Sequence, residues 1–453
     1  MFFTIKELHE QYHEKKTTVK EVVLSCLTRI AAVDATPEGF NAVAEVNPDV
    51  LPIAEACDRQ LTAGGGLPTL FGVPVLLKDN INTGDKLHTT VGSLALADNY
   101  APCDAPLVGL LRQAGAVIIG KTNLTEFANY MTREKMPNGY SSRGGQVFNP
   151  FNRAEDPSGS STGSAVAVAA GLCCVAVGTE TSGSIISPAG ENGVIGIKPT
   201  AGLIDGVGIA PISGTFDTAG PMARTVRDAA VLLGVLADKD FTQYATDLKG
   251  LRIGYNGEKT REALKDKPAE AAVFERLCDL LTDAGAVLVD DIDFTPDYET
   301  RMTIMQYEFK AAFNHYLSTL KNAPKTLLEI IQFNQAHASA ALKYGQSLLL
   351  DAQNKASGKL TDPAYLHALV KREEAIKQFD GLFESYNVDV LMGNAFAYTA
   401  PYTGHPGITV PTGQNPENKL PHKAVFAARR GREVNLLTVG HVIESALGTV
   451  PHP

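Results

Sequence analysis

The sequence predicts an α/β fold with a largely parallel, buried sheet. Short apolar runs of the length of one strand alternate with segments of helical periodicity. Several of these runs are apolar at every position, which is typical of strands buried on both faces. The helical segment 164–170 consists mainly of Ala and Val, which are small enough to pack a helix tightly on a sheet. These observations favour parallel strands joined by helices.

The N-terminal part of the chain predicts two helices followed by a buried strand. Residues 4–7 and 18–21 both have the capping-box pattern, Thr followed three positions later by Glu. The apolar run at 73–77 then predicts a strand that ends at Lys78. Pro74 has no N–H to donate, so we expect it at the start of that strand or at a sheet edge.

Helix and strand signals alternate as far as residue 236, and the pattern then changes. Helices are predicted at 107–114, 164–170 and 225–236, and strands at 116–119, 175–177, 194–197, 251–255, 287–289 and 388–392. The segment at about 298–386 is mostly helical. We therefore expect one domain spanning 1–453, in which this segment is an insertion that covers part of the sheet.

Composition excludes some classes of function. The 453 residues are 44% hydrophobic and 20% charged, as in an ordinary globular enzyme. The net charge of −10 argues against a nucleic-acid partner, and no apolar run reaches the ~18–20 residues that span a bilayer. The six cysteines include no C-x-x-C pair, so no zinc or redox motif is predicted. We expect reduced thiols and a cytoplasmic location.

Two serine-rich segments and one lysine have the composition of a hydrolytic site. The segments read PSGSSTGS at 157–164 and TETSGS at 179–184. A serine nucleophile needs an adjacent base, and a lysine can serve if burial keeps it neutral. Lys78, at the end of an apolar run, has a suitable position. Taken alone, its position favours a surface lysine paired with Asp79.

Each serine segment also has an alternative interpretation. Ser184 follows Gly183 at the predicted start of a helix, where free backbone N–H groups suit an oxyanion, but a helix-capping serine gives the same pattern. Residues 159–163 match G-x-S-x-G, which would make Ser161 the nucleophile of an α/β-hydrolase. The polar, proline-containing residues before it do not fit the buried strand that such a turn follows. Among the histidines, His405 is the candidate for substrate contact. The alternative is a structural role in its loop.

Residues 70–228 resemble the core of the amidase signature family. The step of 24 residues from Ser160 to Ser184 is the step between the two catalytic serines of that family. The matching segments are 72–74, 78–80, 120–123, 157–164, 179–184, 196–200 and 217–225.

The resemblance implies a catalytic triad. Ser184 would be the nucleophile, and Lys78 would be the base. Ser160, joined to Gly159 by a cis peptide bond, would relay the proton between them. The backbone N–H groups of the oxyanion hole would be those of Thr181, Ser182 and Gly183.

The resemblance also implies the fold and the absence of cofactors. The expected fold is an α/β/α sandwich around a large mixed, mostly parallel sheet. No metal ion and no organic cofactor is expected. Three positions depart from the commonest family pattern, since Thr162 and Ser182 replace glycines and Ile186 replaces an arginine. None of the three removes a catalytic group.

The leading hypothesis is hydrolysis of a primary carboxamide to the acid and ammonia through an acyl-enzyme. Glu180, where Asp is usual, and residues 139–146 are similar to the peptide amidase branch, which acts on C-terminal amides of peptides. The expected partner is thus a small-molecule or peptide amide, bound by a monomer or a homodimer. The alternatives are the glutaminase subunit of a tRNA-dependent amidotransferase and a non-catalytic binding member of the family.

Overall fold

The computed structural model describes residues 3–63, 66–295 and 297–453, and within them eleven strands form one sheet flanked by helices. The order across this sheet is β1-β3-β2-β6-β8-β7-β12-β13-β11-β9-β10, and β4 pairs with β5 separately. The strands are β1 Val43–Val46, β2 Pro74–Lys78, β3 Val117–Thr122, β4 Tyr140–Ser141, β5 Gly145–Gln146, β6 Val175–Glu180, β7 Ile195–Lys198, β8 Thr218–Ala223, β9 Arg252–Gly254, β10 Val287–Val289, β11 Val390–Met392, β12 Gly407–Gln414 and β13 Pro421–Ala428.

The helices cover much of the remaining chain. In chain order they are α1 Ile5–His13, α2 Val19–Arg29, α3 Val50–Ala63, α4 Pro106–Gln113, α5 Thr162–Ala169, α6 Ile186–Glu191, α7 Val226–Ala237, α8 Gly257–Ala263, α9 Pro268–Asp283, α10 Tyr298–Thr319, α11 Leu327–Ala336, α12 Ala338–Ala341, α13 Ser347–Lys355, α14 Pro363–Ser385, α15 Phe396–Thr403 and α16 Glu433–Leu447.

The predicted fold class is confirmed, and the sheet is mixed. Parallel pairs join β2 to β3 and β6, and join β9 to β10 and β11. The other pairs of neighbours in the eleven-stranded sheet are antiparallel. The parallel share is therefore smaller than the sequence pattern indicates.

The strands that account for this difference are those that the sequence pattern did not predict, namely β1, β8, β12 and β13. Each of them pairs antiparallel with its neighbours. Pro221 lies inside β8 and Pro411 inside β12, although both strands are largely buried. Proline and glycine in a short run weaken the local strand signal. Both segments are strands nevertheless, because they pair with neighbouring strands of the sheet.

The local start signals for helices are confirmed where they were predicted. Thr4 and Thr18 accept hydrogen bonds from the third residue of α1 and α2, and both capping boxes are complete. Thr225 caps α7 by accepting a 3.1 Å hydrogen bond from the amide of Asp228. Pro74 is the first residue of β2, where its missing N–H is tolerated.

Helices α10–α14 bury a cluster of aromatic and aliphatic side chains apart from the main core of the sheet. Phe309 and Phe313 of α10 pack against Phe127 and Tyr130, which follow β3, and the same cluster contains Phe216. The helical segment therefore lies against the loops that follow the central strands. That residues 1–453 form a single domain stays a prediction.

Two kinds of feature are absent from the described residues. None of the helices in these ranges has the length and apolar character of a membrane span. The same ranges contain no grouping of three or more His, Cys, Asp or Glu side chains suited to a metal ion. Four of the six thiols are buried, whereas Cys57 is half-buried and Cys103 is exposed.

Candidate active site

The carboxyl ends of β2 and β6 lie side by side and bring the lysine to the second serine segment. Val75 to Leu77 pair in parallel with Val175 to Val177. Lys78 ends β2, and Thr179 is one residue from the end of β6. Ligand sites of α/β proteins form at this end of a sheet, because the loops after parallel strands meet there.

Lys78 is completely buried, and its amine contacts both serine-rich segments. Its Nζ lies 2.8 Å from Ser160 Oγ and 3.0 Å from Ser161 Oγ. It also lies 2.9 Å from Thr179 Oγ1 and 3.2 Å from the Thr179 carbonyl oxygen. Burial lowers the pKa of Lys78 to about 7, although the negative charges of Asp217 and Glu180 oppose this shift. The amine is therefore partly neutral near pH 7 and can accept a proton.

Ser160 and Ser161 are adjacent but have different surroundings. The Gly159–Ser160 peptide bond is cis, as the family resemblance implies, and the Ser160 hydroxyl contacts Lys78. Ser161 Oγ accepts a hydrogen bond from the Thr179 amide (3.1 Å) and donates one to the Thr179 carbonyl (2.9 Å). Its hydroxyl is thus held on β6 and is fully buried. This arrangement does not fit Ser161 as the exposed nucleophile of an α/β-hydrolase turn.

Gly178 of β6 makes room for this contact. A Cβ placed on Gly178 would lie 2.8 Å from Ser161 Oγ, closer than real Cβ contacts come. The Ser161 amide also donates a 3.2 Å hydrogen bond to the Ser184 carbonyl. The two serine segments are therefore joined directly to each other as well as to Lys78.

The loop after β6 turns sharply at Gly183 and is held from inside by Glu180. Gly183 has a φ of +82°, which a residue with a side chain rarely adopts. One carboxylate oxygen of Glu180 accepts hydrogen bonds from the amides of Ile185 (2.6 Å) and Ile186 (2.9 Å). Burial raises the pKa of Glu180. Hydrogen bonds from backbone amides, including that of Gly183, and the positive charge of Lys198 oppose this rise. Glu180 thereby fixes the turn that presents Ser184.

Ser184 lies on the wall of a cavity of about 500 Å³. Its hydroxyl has no hydrogen-bond partner within the described ranges. Thr181 and Ser182 line the same cavity. Thr181, Ser182 and Gly183 thus lie in the turn directly before Ser184, and their role as oxyanion donors stays a prediction.

A family model described as Amidase matches residues 21–417. The chain belongs to the amidase signature family. It is 34% identical to a probable amidase from Arabidopsis thaliana, in a match covering 98% of this chain and 90% of that protein. It is also 32% identical to a glutamyl-tRNA(Gln) amidotransferase subunit from Microcystis aeruginosa, in a match covering 98% of this chain and 97% of that protein.

The structural neighbours agree with the family match. The crystal structure of peptide amidase from Stenotrophomonas maltophilia superposes with a TM-score of 0.91 at 36% identity, covering 99% of this chain and 98% of that one. An amidase family protein from Bacillus anthracis has a TM-score of 0.92 at 33% identity, with coverage of 100% and 92%. This amidase signature protein is therefore an amide-hydrolysing enzyme.

The three positions that depart from the commonest amidase pattern are each accommodated. Thr162 Oγ1 donates a 2.6 Å hydrogen bond to the Ser158 carbonyl, so the hydroxyl steadies the first serine segment. Ser182 does not adopt a positive φ, so its backbone conformation tolerates a side chain. Ile186 is buried in an apolar cluster that includes Phe396.

The histidine and the other buried lysines lie outside this amidase site. His405 is fully buried, with Nδ1 2.9 Å from Thr403 Oγ1 and Nε2 2.9 Å from Asp380 Oδ1, so its role is structural. Lys121 and Lys198 are also buried at strand ends, but their amines bind backbone carbonyls of other loops. Among the three, Lys78 alone contacts the serine segments.

Three residues of the site were missed by the sequence analysis. Thr179 binds the lysine, and Asp217 accepts a hydrogen bond from Thr181. Arg301 lines the cavity from α10, far along the chain from the serine segments. Thr179 and Asp217 lie within segments that match the family, 179–184 and 217–225, so the sequence did contain a signal for these two residues. Nothing in the local sequence marks Arg301.

Proposed function

We propose that the enzyme hydrolyses a primary carboxamide, the C-terminal amide of a peptide, to the acid and ammonia. Ser184, Ser160 and Lys78 would form the triad. The observation that carries this proposal is the 2.8 Å contact between Lys78 Nζ and Ser160 Oγ, in a fully buried position beside the cavity that Ser184 lines. A lysine with a pKa of about 7 suits a general base near neutral pH.

Acylation begins with proton transfer along the triad. The neutral amine of Lys78 accepts the proton of the Ser160 hydroxyl while Ser160 accepts that of Ser184. The Ser184 oxygen attacks the amide carbon, and a tetrahedral intermediate forms. The C–N bond then breaks, and the relay returns the proton to the departing nitrogen, which leaves as ammonia. Water attacks the acyl-enzyme with the same relay and releases the acid.

The negative oxygen of the intermediate needs donors that are already in place. The amides of Thr181 and Ser182 would supply them, since the Gly183 amide expected as a third donor is directed to Glu180. One such donor contributes about 3–4 kcal/mol in comparable sites. The sharp turn at Gly183 and the carboxylate of Glu180 support this role because they hold the loop in one conformation. The steps move protons between side chains and substrate, so they require no cofactor.

A peptide substrate is supported by the resemblance to the Stenotrophomonas peptide amidase over nearly the whole chain. The cavity is wide enough for more than the amide group, and its walls combine polar and charged side chains with aromatic and apolar ones. We further propose that residues 1–453 form one domain of a cytoplasmic enzyme, active as a monomer or homodimer.

A second candidate is the glutaminase subunit of a tRNA-dependent amidotransferase. The match to an amidotransferase subunit over nearly its whole length favours it. The buried Ile186, at a position where an arginine is usual in the family, and the acidic net charge weigh against it. Activity on glutamine that appears only with partner subunits would support this candidate.

The test is ammonia release from a panel of amides by wild type, Ser184→Ala and Ser187→Ala. The panel contains a C-terminally amidated dipeptide, its free acid, an aliphatic amide, an aryl amide and glutamine. We expect the amidated dipeptide to be the best substrate, Ser184→Ala to be inactive, and Ser187→Ala, three residues further along, to stay active. Activity retained in Ser184→Ala would refute the triad, and activity on aryl amides alone would refute the peptide substrate.

A further inference from the structure

Arg301 is a buried cation in the same cavity as Ser184. It lies in the first turn of α10 and is only 6% exposed. Its guanidinium carbon is 4.9 Å from the ring centre of Tyr298 and 5.7 Å from that of Tyr398. Both tyrosines line the cavity and are partly exposed, so Arg301 lies behind an aromatic entrance.

Among the described residues, the guanidinium has two aromatic rings beside it but no anionic partner. The hydrogen bond from its Nη1 to the Tyr398 carbonyl is long, at 3.4 Å. Nε is buried and has no acceptor within the described part of the chain, and no carboxylate there forms an ion pair with Arg301. Burial lowers the pKa of Arg301, and the ionisable groups that oppose this shift are tyrosines. An arginine nevertheless stays protonated in a protein, so a positive charge remains in the wall.

The other charged side chains of the cavity already have partners. Arg133 forms a 2.8 Å ion pair with Asp351 at the exposed rim. Glu134 is exposed as well and accepts a 2.7 Å hydrogen bond from Ser347, so water screens its charge. A buried charge without a partner is costly, and a ligand of opposite charge removes that cost. Arg301 is therefore the charge that a bound substrate can neutralise.

Tyr398 places Arg301 near the reacting amide. A Cβ placed on Gly183 would lie 3.0 Å from the Tyr398 ring, so this ring touches the loop of the proposed oxyanion donors. The backbone carbonyl of the same tyrosine accepts the hydrogen bond of Arg301. Ser184 and Arg301 line the same cavity, so the acyl part of a substrate with its carbonyl group at Ser184 can extend to the guanidinium.

We propose that Arg301 binds a carboxylate on the acyl part of the substrate, so that the substrate class is a primary amide with a second, acidic group. This inference rests on the proposed amidase function. The guanidinium offers Nε–H and Nη–H groups in a plane, which matches the two oxygens of a carboxylate.

The experiment compares two series of dipeptide amides, acetyl-Gly-X-amide and acetyl-X-Gly-amide. In each series X is Glu, Met or Lys. Wild type, Arg301→Met, Arg301→Lys and Arg133→Met are assayed for kcat and KM. Met has a similar length to Glu without its charge. Arg133 lines the same cavity but is exposed and paired, so Arg133→Met is the matched control.

In at least one series we expect wild type to prefer the Glu amide over the Met amide by about tenfold or more, and the Lys amide to be poorest. Arg301→Met should lower kcat/KM for the Glu amide about 30-fold or more, mainly through KM, and leave the Met amide within about threefold. Arg301→Lys should recover part of the preference, and Arg133→Met should keep it.

Two results would overturn the proposal. One is a wild type without preference for Glu in either series. The other is an Arg301→Met variant that loses activity equally on all amides, which would assign Arg301 a structural role. Failure of the amidase function itself looks different, because wild type would then release no ammonia from the Met amide either.

Discussion

Thr181 Oγ1 donates a 2.5 Å hydrogen bond to Asp217 Oδ1 and so joins the loop of the proposed oxyanion donors to a carboxylate near Lys78. The other oxygen of Asp217 accepts hydrogen bonds from the amides of Ile212 (2.7 Å) and Ser213 (2.9 Å). Burial raises the pKa of Asp217 to about 6, so it is mostly ionised at pH 7. Of the two negative charges that raise the pKa of Lys78 against the effect of burial, that of Asp217 has the larger effect. One carboxylate thus affects both the loop and the base.

Replacing Asp217 with Asn should shift the pH dependence of activity. The negative charge of Asp217 raises the pKa of Lys78, so its removal lowers that pKa further. The acid limb of kcat/KM should therefore move to lower pH, as measured between pH 5 and 9. Thr181→Val removes the hydrogen bond that helps to keep Asp217 ionised, so its acid limb should move in the same direction by a smaller amount. A limb that moves to higher pH in Asp217→Asn would contradict this account.

Lys78 should control the activity of the wild type near neutral pH. Only the deprotonated amine accepts a proton, so kcat/KM should rise as the pH increases through about 7. Lys78→Met should lower kcat by about 10²–10⁴-fold. Lys121→Met removes another buried lysine, which binds the Ile81 carbonyl, and should lower stability without moving the pH midpoint. An activity maximum at acid pH would rule out Lys78 as the base.

Ser160 and Ser161 should respond differently to replacement by alanine. Ser160→Ala removes the proposed relay and should lower kcat by about 10²–10⁴-fold while the protein stays folded. Ser161→Ala leaves the Thr179 amide without its acceptor and should reduce the free energy of unfolding by about 1–3 kcal/mol. Urea denaturation and initial rates measure the two effects. A larger loss of activity in Ser161→Ala than in Ser160→Ala would exchange their roles.

Glu180 should act as a positioning residue for the oxyanion loop. Glu180→Leu leaves the amides of Ile185 and Ile186 without their acceptor, which should destabilise the fold by about 1–3 kcal/mol or more and reduce kcat about 10- to 100-fold. Glu180→Gln keeps an acceptor oxygen and should retain most of the activity. Thermal unfolding and kcat for both variants check this, and equal effects of the two would show that the charge matters instead.

Much of the fold could be predicted because its signals are local. The capping threonines of α1, α2 and α7 need only a glutamate or aspartate three residues later. The buried strand β2 is marked by five consecutive apolar positions before Lys78. The antiparallel strands β8 and β12 could not be recognised in the same way. Their prolines and glycines obscure the strand pattern, and contacts with strands distant in sequence stabilise them.

For the site, the sequence alone determined the candidate triad, since the family motifs contain Lys78, Ser160 and Ser184 at their characteristic spacing. Their catalytic roles stay predictions. The tertiary structure decided what surrounds them. It holds the hydroxyl of Ser161 on β6, turns Glu180 inward beneath the loop, and brings Arg301 from α10 to the cavity. A motif records which groups follow one another along the chain, whereas burial, pKa and charge pairing depend on neighbours that only folding brings together.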